Sequence, residues 1–178
     1  MSGASSGLER LYAALDGLAF PWCEGCGECC HMPWVLAEEE PGIPTEDRDG
    51  TRFVGGCAAC VAKVGTRCGV YAARPLDCRL FPLDIVEHEG AYWWCIFQTC
   101  RHPAELAEQL IPRIPALEAA MSAAVWAQFE RQIAHTRTAY APYAAGQYRL
   151  VRRVALPTAG EGRDVATGAP GPRLPGRG

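Results

Sequence analysis

The chain has no apolar run long enough to cross a bilayer, which takes about 20 predominantly apolar residues. It also has no basic leader. MSGASSGLERLYAALDGLAF carries Glu9 and Asp16 inside its apolar stretch, so the sequence predicts no signal peptide, no membrane partner and a cytoplasmic location. There is no dinucleotide fingerprint, no phosphate-binding glycine loop, no nucleophile elbow and no His-Glu-x2-His helix, so no specific enzyme class is indicated. No internal repeat is present. Neither flank holds a cysteine: all ten cysteines of the 178-residue chain lie between Cys23 and Cys100.

What is present is a chain of one-domain size with an ordinary apolar content and a formal net charge of −3. Residues 6–18 read as an amphipathic helix: Ser6 and Glu9 have capping-box spacing, and Leu8, Leu11, Leu15 and Leu18 recur on one face, with Pro21 closing the segment. Residues 31–56, rich in Pro, Gly and acids, read as a long loop with one helical turn near Ala37–Glu40, a length that calls for a local clamp. LDIVE and AYWWCIF, joined by HEG, predict a β-hairpin over residues 83–97. A short helix follows at 104–111 and is broken by Pro112, with Pro115 suited to the first turn of the next. A long helix then runs from Leu117 to about Thr138, its stripe of Leu117, Met121, Val125, Phe129 and Ile133 serving as a packing face with Trp126 beside it. After Tyr140 the pattern dissolves. Residues 142–178 form a basic, Gly/Pro-rich, largely disordered tail, with six Arg against Glu161 and Asp164, a balance of +4 that leaves −7 for residues 1–141. With little aromatic interleaving, such a tail favours solvation over nucleic acid as a partner.

The cysteines fall in three segments: Cys23-x2-Cys26-x2-Cys29-Cys30, then Cys57, Cys60, Cys68 and Cys78, then Cys95 and Cys100. An even count in a short chain is also the disulfide pattern. A reducing compartment and the vicinal pair Cys29-Cys30, whose disulfide would be strained, argue against it. A Cys-x2-Cys turn curls the backbone so that two sulfurs meet one metal, and Gly25 and Gly27 make that curl easy. Cys23, Cys26 and Cys29 together resemble the start of a ferredoxin-type run, without its usual fourth Cys and Pro. Cys30 points elsewhere and fits a second metal, a bridge or an outer contact. Structural zinc fits the same residues, with a further Cys-x2-Cys element at Cys57-Cys60. A dithiol redox site needs a βαβ context that the sequence does not show.

The run Cys23-x2-Cys26-x2-Cys29-Cys30, followed by Cys60-x7-Cys68-x2-Tyr71-x2-Arg74-Pro75-x2-Cys78-Arg79 and Phe81-Pro82, resembles the YkgJ-type family of zinc- or iron-chelating CxxCxxCC proteins over about residues 20–100. The resemblance implies metal chelation by Cys23, Cys26, Cys29, Cys30, Cys60, Cys68 and Cys78. It departs from the family in Val61, Ala62 and Lys63 after Cys60 and in the extra Cys57, which leaves open which of the two ligates. Cys95 and Cys100 lie outside the shared pattern. A related cluster occurs in flagellin lysine methylases, which implies an iron–sulfur centre coupled to methyl transfer as the enzyme alternative.

Tyr71, Arg74 and Arg79 are candidate cofactor-binding residues, because Arg offsets the negative charge of a thiolate centre and donates hydrogen bonds to sulfur. Pro75 holds Arg74 out of the helical region. His31 and His102, close to Cys30 and Cys100, are candidate mixed-shell ligands. The sequence thus predicts a small α+β domain over 1–141, its cysteine core at 21–103 stabilised by zinc, iron or a 4Fe-4S cluster, with a β-hairpin and flanking N- and C-terminal helices. A metal-using enzyme and a metal-stabilised interaction module are the competing readings.

Overall fold

The computed structural model describes residues 7–18, 20, 26, 33–39, 44–48, 50–54 and 60–155. The fold mixes helix and antiparallel sheet, as the α+β reading expects. Helix α1 (Gly7–Ala14) buries Leu11 and Leu15, with Leu8 and Leu18 packed beside them. Gly17, at φ 76, ends its last turn before Pro21 is reached. Pro21 and the Ser6 cap lie outside the described residues.

The segment expected to be a loop is instead a small sheet. Strands β1 (Trp34–Val35), β2 (Thr45–Arg48) and β3 (Thr51–Val54) pair antiparallel in the order β1-β3-β2. The acids and glycine that read as loop form the turn: Gly50, at φ 76, donates its N–H to Asp47 Oδ1 at 3.1 Å. The helical turn predicted near Ala37–Glu40 is a single hydrogen-bonded turn at Ala37–Glu38, where the Glu39 N–H donates to Leu36 O at 3.0 Å, and Glu40 lies outside the described residues. The sheet has two apolar faces. Trp34 and Phe53, opposite each other, join the main core, while Val35 and Val54 point away from it.

Below that sheet lie the two-residue strands β4 (Lys63–Val64) and β5 (Arg67–Cys68), a 3-10 turn at Tyr71–Ala73 and helix α2 (Leu76–Leu80). The predicted hairpin is present as β6 (Leu83–His88) and β7 (Ala91–Phe97). Its two-residue turn has Glu89 at φ 52 and Gly90 at φ 72, the pair of positive values that a type I′ turn requires.

Helix α3 (Pro103–Leu110) runs through a 3-10 turn at Ile111–Arg113 into α4 (Ile114–Ala120), Pro115 lying in the first turn as expected. The predicted long helix is two helices. The chain leaves the helical region at Met121, and α5 (Ala123–Ala139) restarts where Ser122 Oγ accepts the Val125 N–H at 3.2 Å. The stripe of Leu117, Met121, Val125, Phe129 and Ile133 is buried throughout. The polar cap at Ser122 is invisible to apolar periodicity, because the stripe continues across the break.

Beyond Tyr140 the chain forms α6 (Ala141–Ala144) and β8 (Tyr148–Arg153), which pairs with β7 in a sheet of order β6-β7-β8. Glu118, 7% exposed, anchors this strand. It accepts from Trp94 Nε1 at 2.9 Å, from Arg152 at 2.9 Å and from the Ala155 N–H at 2.8 Å. Residues 156–178 lie outside the described residues. No helix among the described residues is long and apolar enough to cross a membrane.

Candidate metal centre

Cys60 is 8% exposed and opens the β4–β5 hairpin, its carbonyl accepting the Lys63 N–H at 3.0 Å. Cys68 sits on β5 opposite Lys63, and the Gly69 N–H closes the turn on Ala62 O at 2.8 Å. A Cβ on Gly69 would come within 3.1 Å of that same carbonyl, so the closure favours glycine. Cys60, Ala62 and Val70 pack against Val35 and Val54, the outward face of the small sheet. Cys78 lies half-buried in α2, and Cys26 is half-buried at a turn. Cys23, Cys29, Cys30, Cys57 and His31 lie outside the described residues. Among the described residues, no three His, Cys, Asp or Glu side chains converge on one metal position.

Tyr71, Arg74 and Arg79 knit the corner between the hairpin and α2. Tyr71 donates its hydroxyl proton to Phe20 O at 3.1 Å, which ties the chain just ahead of Cys23 to the turn after Cys68. The Arg74 guanidinium lies 3.7 Å above the Tyr71 ring, and its Nε donates to Tyr71 O at 3.1 Å. Arg74 itself is extended, with ψ 137, as Pro75 requires. Arg79 lies 4.6 Å above the Tyr12 ring and donates to Arg74 O at 2.9 Å and Ala72 O at 2.8 Å. These arginines therefore direct donors to backbone carbonyls as well as carrying charge near Cys78.

The same corner has an anchor that the sequence did not single out. Glu39, 3% exposed, accepts from the Tyr12 hydroxyl, from the Leu36 N–H at 2.8 Å and from Leu76 N–H, at the start of α2, at 2.6 Å. Arg52 donates to Leu36 O and Glu39 O and fixes the same bend. Burial, then the hydrogen bond to Glu39, raises the Tyr12 pKa, so the phenol keeps its proton. The signal for Glu39 was hidden in the acidic run EEE, where one carboxylate turns inward.

The remaining cysteines differ in kind. Cys95 is completely buried in β7 with Val86, Phe97 and Tyr143, and burial raises its thiol pKa strongly. Cys100 packs against the main core, and its sulfur accepts the His102 N–H at 3.4 Å. His102 begins α3, with its Nδ1 3.6 Å from Glu105. Among the described residues, no disulfide joins Cys26, Cys60, Cys68, Cys78, Cys95 and Cys100. The half-buried thiols of Cys26, Cys68 and Cys78 and the thiol of Cys60 are soft donors, a set that suits zinc, iron or an iron–sulfur cluster.

Between α2, the small sheet, β6–β7 and α5 lies a cavity of about 40 Å³, partly open to solvent. Trp34, Phe53, Phe81, Phe97 and Tyr140 form its aromatic walls, and Asp77, Cys78, Asp84, Gln132 and Thr136 its polar lining. Asp77 Oδ2 accepts the Trp34 N–H at 3.2 Å, and Asp84 Oδ1 accepts the Ile85 N–H at 2.7 Å. Both residues are half-buried. Burial pushes Asp84 up to about 7, and burial together with the charge of Asp84 raises Asp77 well above the ordinary carboxylate range.

No curated protein and no solved structure matches the chain significantly. Residues 22–101, the segment that holds every cysteine and the whole Tyr71–Arg79 corner, match the model of the CxxCxxCC family, described as a proposed zinc- or iron-chelating domain, and over that segment the chain is similar to this family.

Proposed function

We propose that the protein binds zinc or iron through a thiolate shell drawn from Cys23, Cys26, Cys29, Cys30, Cys60, Cys68 and Cys78, in a domain that the metal helps to fold and that operates in the cytoplasm. The observation that carries this reading is the family match over residues 22–101, the segment that holds all ten cysteines. Tyr71, Arg74 and Arg79 hold the corner from which Cys68 and Cys78 would reach the metal, and the two guanidinium charges would offset thiolate charge there. The metal would supply folding energy and, if iron, redox chemistry. The overlapping run at Cys23–Cys29 and the excess of sulfur favour iron, including a 4Fe-4S cluster, over zinc.

The test is anaerobic purification followed by metal, acid-labile sulfide and thiol analysis with a visible spectrum. Iron with stoichiometric sulfide and a charge-transfer band supports the cluster. Stoichiometric zinc in colourless protein supports the zinc form. Intact protein with neither metal and all thiols reactive overturns the reading.

One observation favours a centre open to exogenous ligands, as an enzyme would need: Cys78 lines the cavity. Cyanide or a small thiol, added to the anaerobic protein, should then change the metal spectrum reversibly and saturably without metal loss. An unresponsive spectrum would assign a closed, structural centre.

A further inference from the structure

A second open cavity, of about 260 Å³, lies between α1 and the turn that leads into α2, and Arg74 and Arg79 line it. Both arginines are half-buried, and each is fixed from two directions. The Arg74 guanidinium rests on the Tyr71 ring with its Nε on Tyr71 O. That of Arg79 rests on the Tyr12 ring, with Nε and Nη2 on the carbonyls of Arg74 and Ala72. These contacts hold the groups without neutralising them. Among the described residues neither guanidinium forms an ion pair, and Arg74 Nη1 and Nη2 and Arg79 Nη1 have no acceptor. Glu39 is the one carboxylate among the described lining residues, and its oxygens are already taken. It is 3% exposed and accepts from the Tyr12 hydroxyl and from the Leu36 and Leu76 N–H groups. No cysteine among the described residues lines this cavity, whereas Cys78 lines the one that holds Asp84.

Two fixed like charges in one concavity, with no carboxylate paired to either, call for an anion. We propose that this cavity binds a phosphate group, as inorganic phosphate or as the monoester of a small molecule, its oxygens accepting from the open N–H groups of Arg74 and Arg79. A guanidinium fork meets a phosphate edge with two parallel hydrogen bonds, and a tetrahedral dianion presents separate edges to two forks. A carboxylate has one pair of oxygens and one charge, which suit a single fork. Ring stacking and backbone carbonyls already hold both side chains, so binding removes little further side-chain freedom. Leu8 and Pro75 line the same cavity and offer apolar contact to the carbon of an ester. The site uses no thiol and no metal, and so does not rest on the thiolate reading.

The experiment is isothermal titration of the full-length protein, purified anaerobically in buffer free of phosphate and sulfate and with its metal content measured. The titrants are inorganic phosphate and methyl phosphate at pH 8 and constant ionic strength, with acetate as comparator. Saturable binding of inorganic phosphate is expected, with acetate weaker by about tenfold or more. Methyl phosphate binding at least as tightly would assign the site to an ester, and weaker binding to the free ion. Ala73→Glu, at an exposed lining position, places a carboxylate beside the arginines and should weaken phosphate binding by about tenfold, whereas the uncharged Ala73→Gln should stay within about twofold of the parent. Arg74→Gln should weaken binding by about tenfold. Should that variant lose metal or fail to fold, the Ala73 pair decides. Absence of saturable phosphate binding, equal binding of acetate, or equal binding by Ala73→Glu and Ala73→Gln would overturn the proposal. Phosphate binding by protein that holds no metal would leave this proposal standing without the thiolate reading, and failure to bind in metal-loaded protein would do the reverse.

Discussion

Strands β6 and β7 present Leu83, Ile85, Trp94 and Ile96 to a core completed by Leu106, Leu110, Leu117 and Phe129 from the helices. The β4–β5 hairpin and its approach present only Cys60, Ala62 and Val70 to Val35 and Val54, and leave Val61 and Val64 exposed at 53% and 72%. The first region closes a large apolar core. The second has one patch of small side chains, and polar clamps at Glu39, Arg52, Tyr71, Arg74 and Arg79 around it. At roughly 25 cal/mol per Å² of apolar surface, burial of so few small residues does little against the entropy of ordering the hairpin. On the proposed reading, a metal held by the thiols of the second region would supply the cohesion that packing supplies in the first.

Thiol removal should break this contrast most strongly. Structural zinc contributes on the order of 10 kcal/mol to the folding of small metal domains at neutral pH. Cys60→Ala and Cys78→Ala should therefore each reduce bound metal and melt the hairpin and α2, measured by elemental analysis and by near-UV circular dichroism. Cys95→Ala, in the packed region, should leave metal content unchanged. Equal metal loss in all three variants would erase the distinction between the regions.

Phe129→Ala attacks the other side. Phe129 is 1% exposed and meets Trp34 edge-on at 4.8 Å. The cavity left should cost about 3–5 kcal/mol, seen as a lower denaturant midpoint, while the metal-to-protein ratio of the folded fraction stays constant. Glu39→Ala should cost about 2–3 kcal/mol, because the Leu36 and Leu76 N–H groups lose their buried acceptor together. Its loss should appear first at α1 and α2 by hydrogen exchange. A uniform loss across the helices would deny Glu39 its role as a local clamp.

The smallest effect runs in the stabilising direction. Burial places Asp84 at about 7 in the folded protein, above the ordinary value of about 3.9. Between these values the folded state binds more protons at Asp84 than the unfolded one, so the contribution of this group to stability is fullest below about pH 4 and is lost as pH rises through 7. Asp84→Asn should flatten that decline and melt higher than the parent at pH 8. A variant that declines as steeply as the parent would assign the pH dependence to another group.

Much of the packed region was legible because apolar periodicity is a local signal: the hairpin, α1, α3 and the stripe of α4–α5 follow from it. The Ser122 break was not legible, since the stripe runs through it. The strands at 34–54 were not legible either, because two- and four-residue strands among Pro, Gly and acids have no period to read, and what holds them is Glu39 and Arg52, residues whose partners are distant or turned inward. Strand β8 was hidden by its arginines, one of which is drawn in by the buried Glu118. Of the candidate site, the cysteine spacing carried the likeness to the CxxCxxCC family directly, whereas the cavity lined by Asp77, Asp84 and Gln132 joins α2, β6 and α5 and exists only in the fold.

The most direct test of the metal as the cohesion of the cysteine region is hydrogen exchange on anaerobic protein before and after chelator treatment. The account predicts that amides of residues 60–80 lose their protection when metal is removed, while those of β6, β7 and α5 keep most of theirs. Unchanged protection over residues 60–80 in fully metal-depleted protein would contradict it.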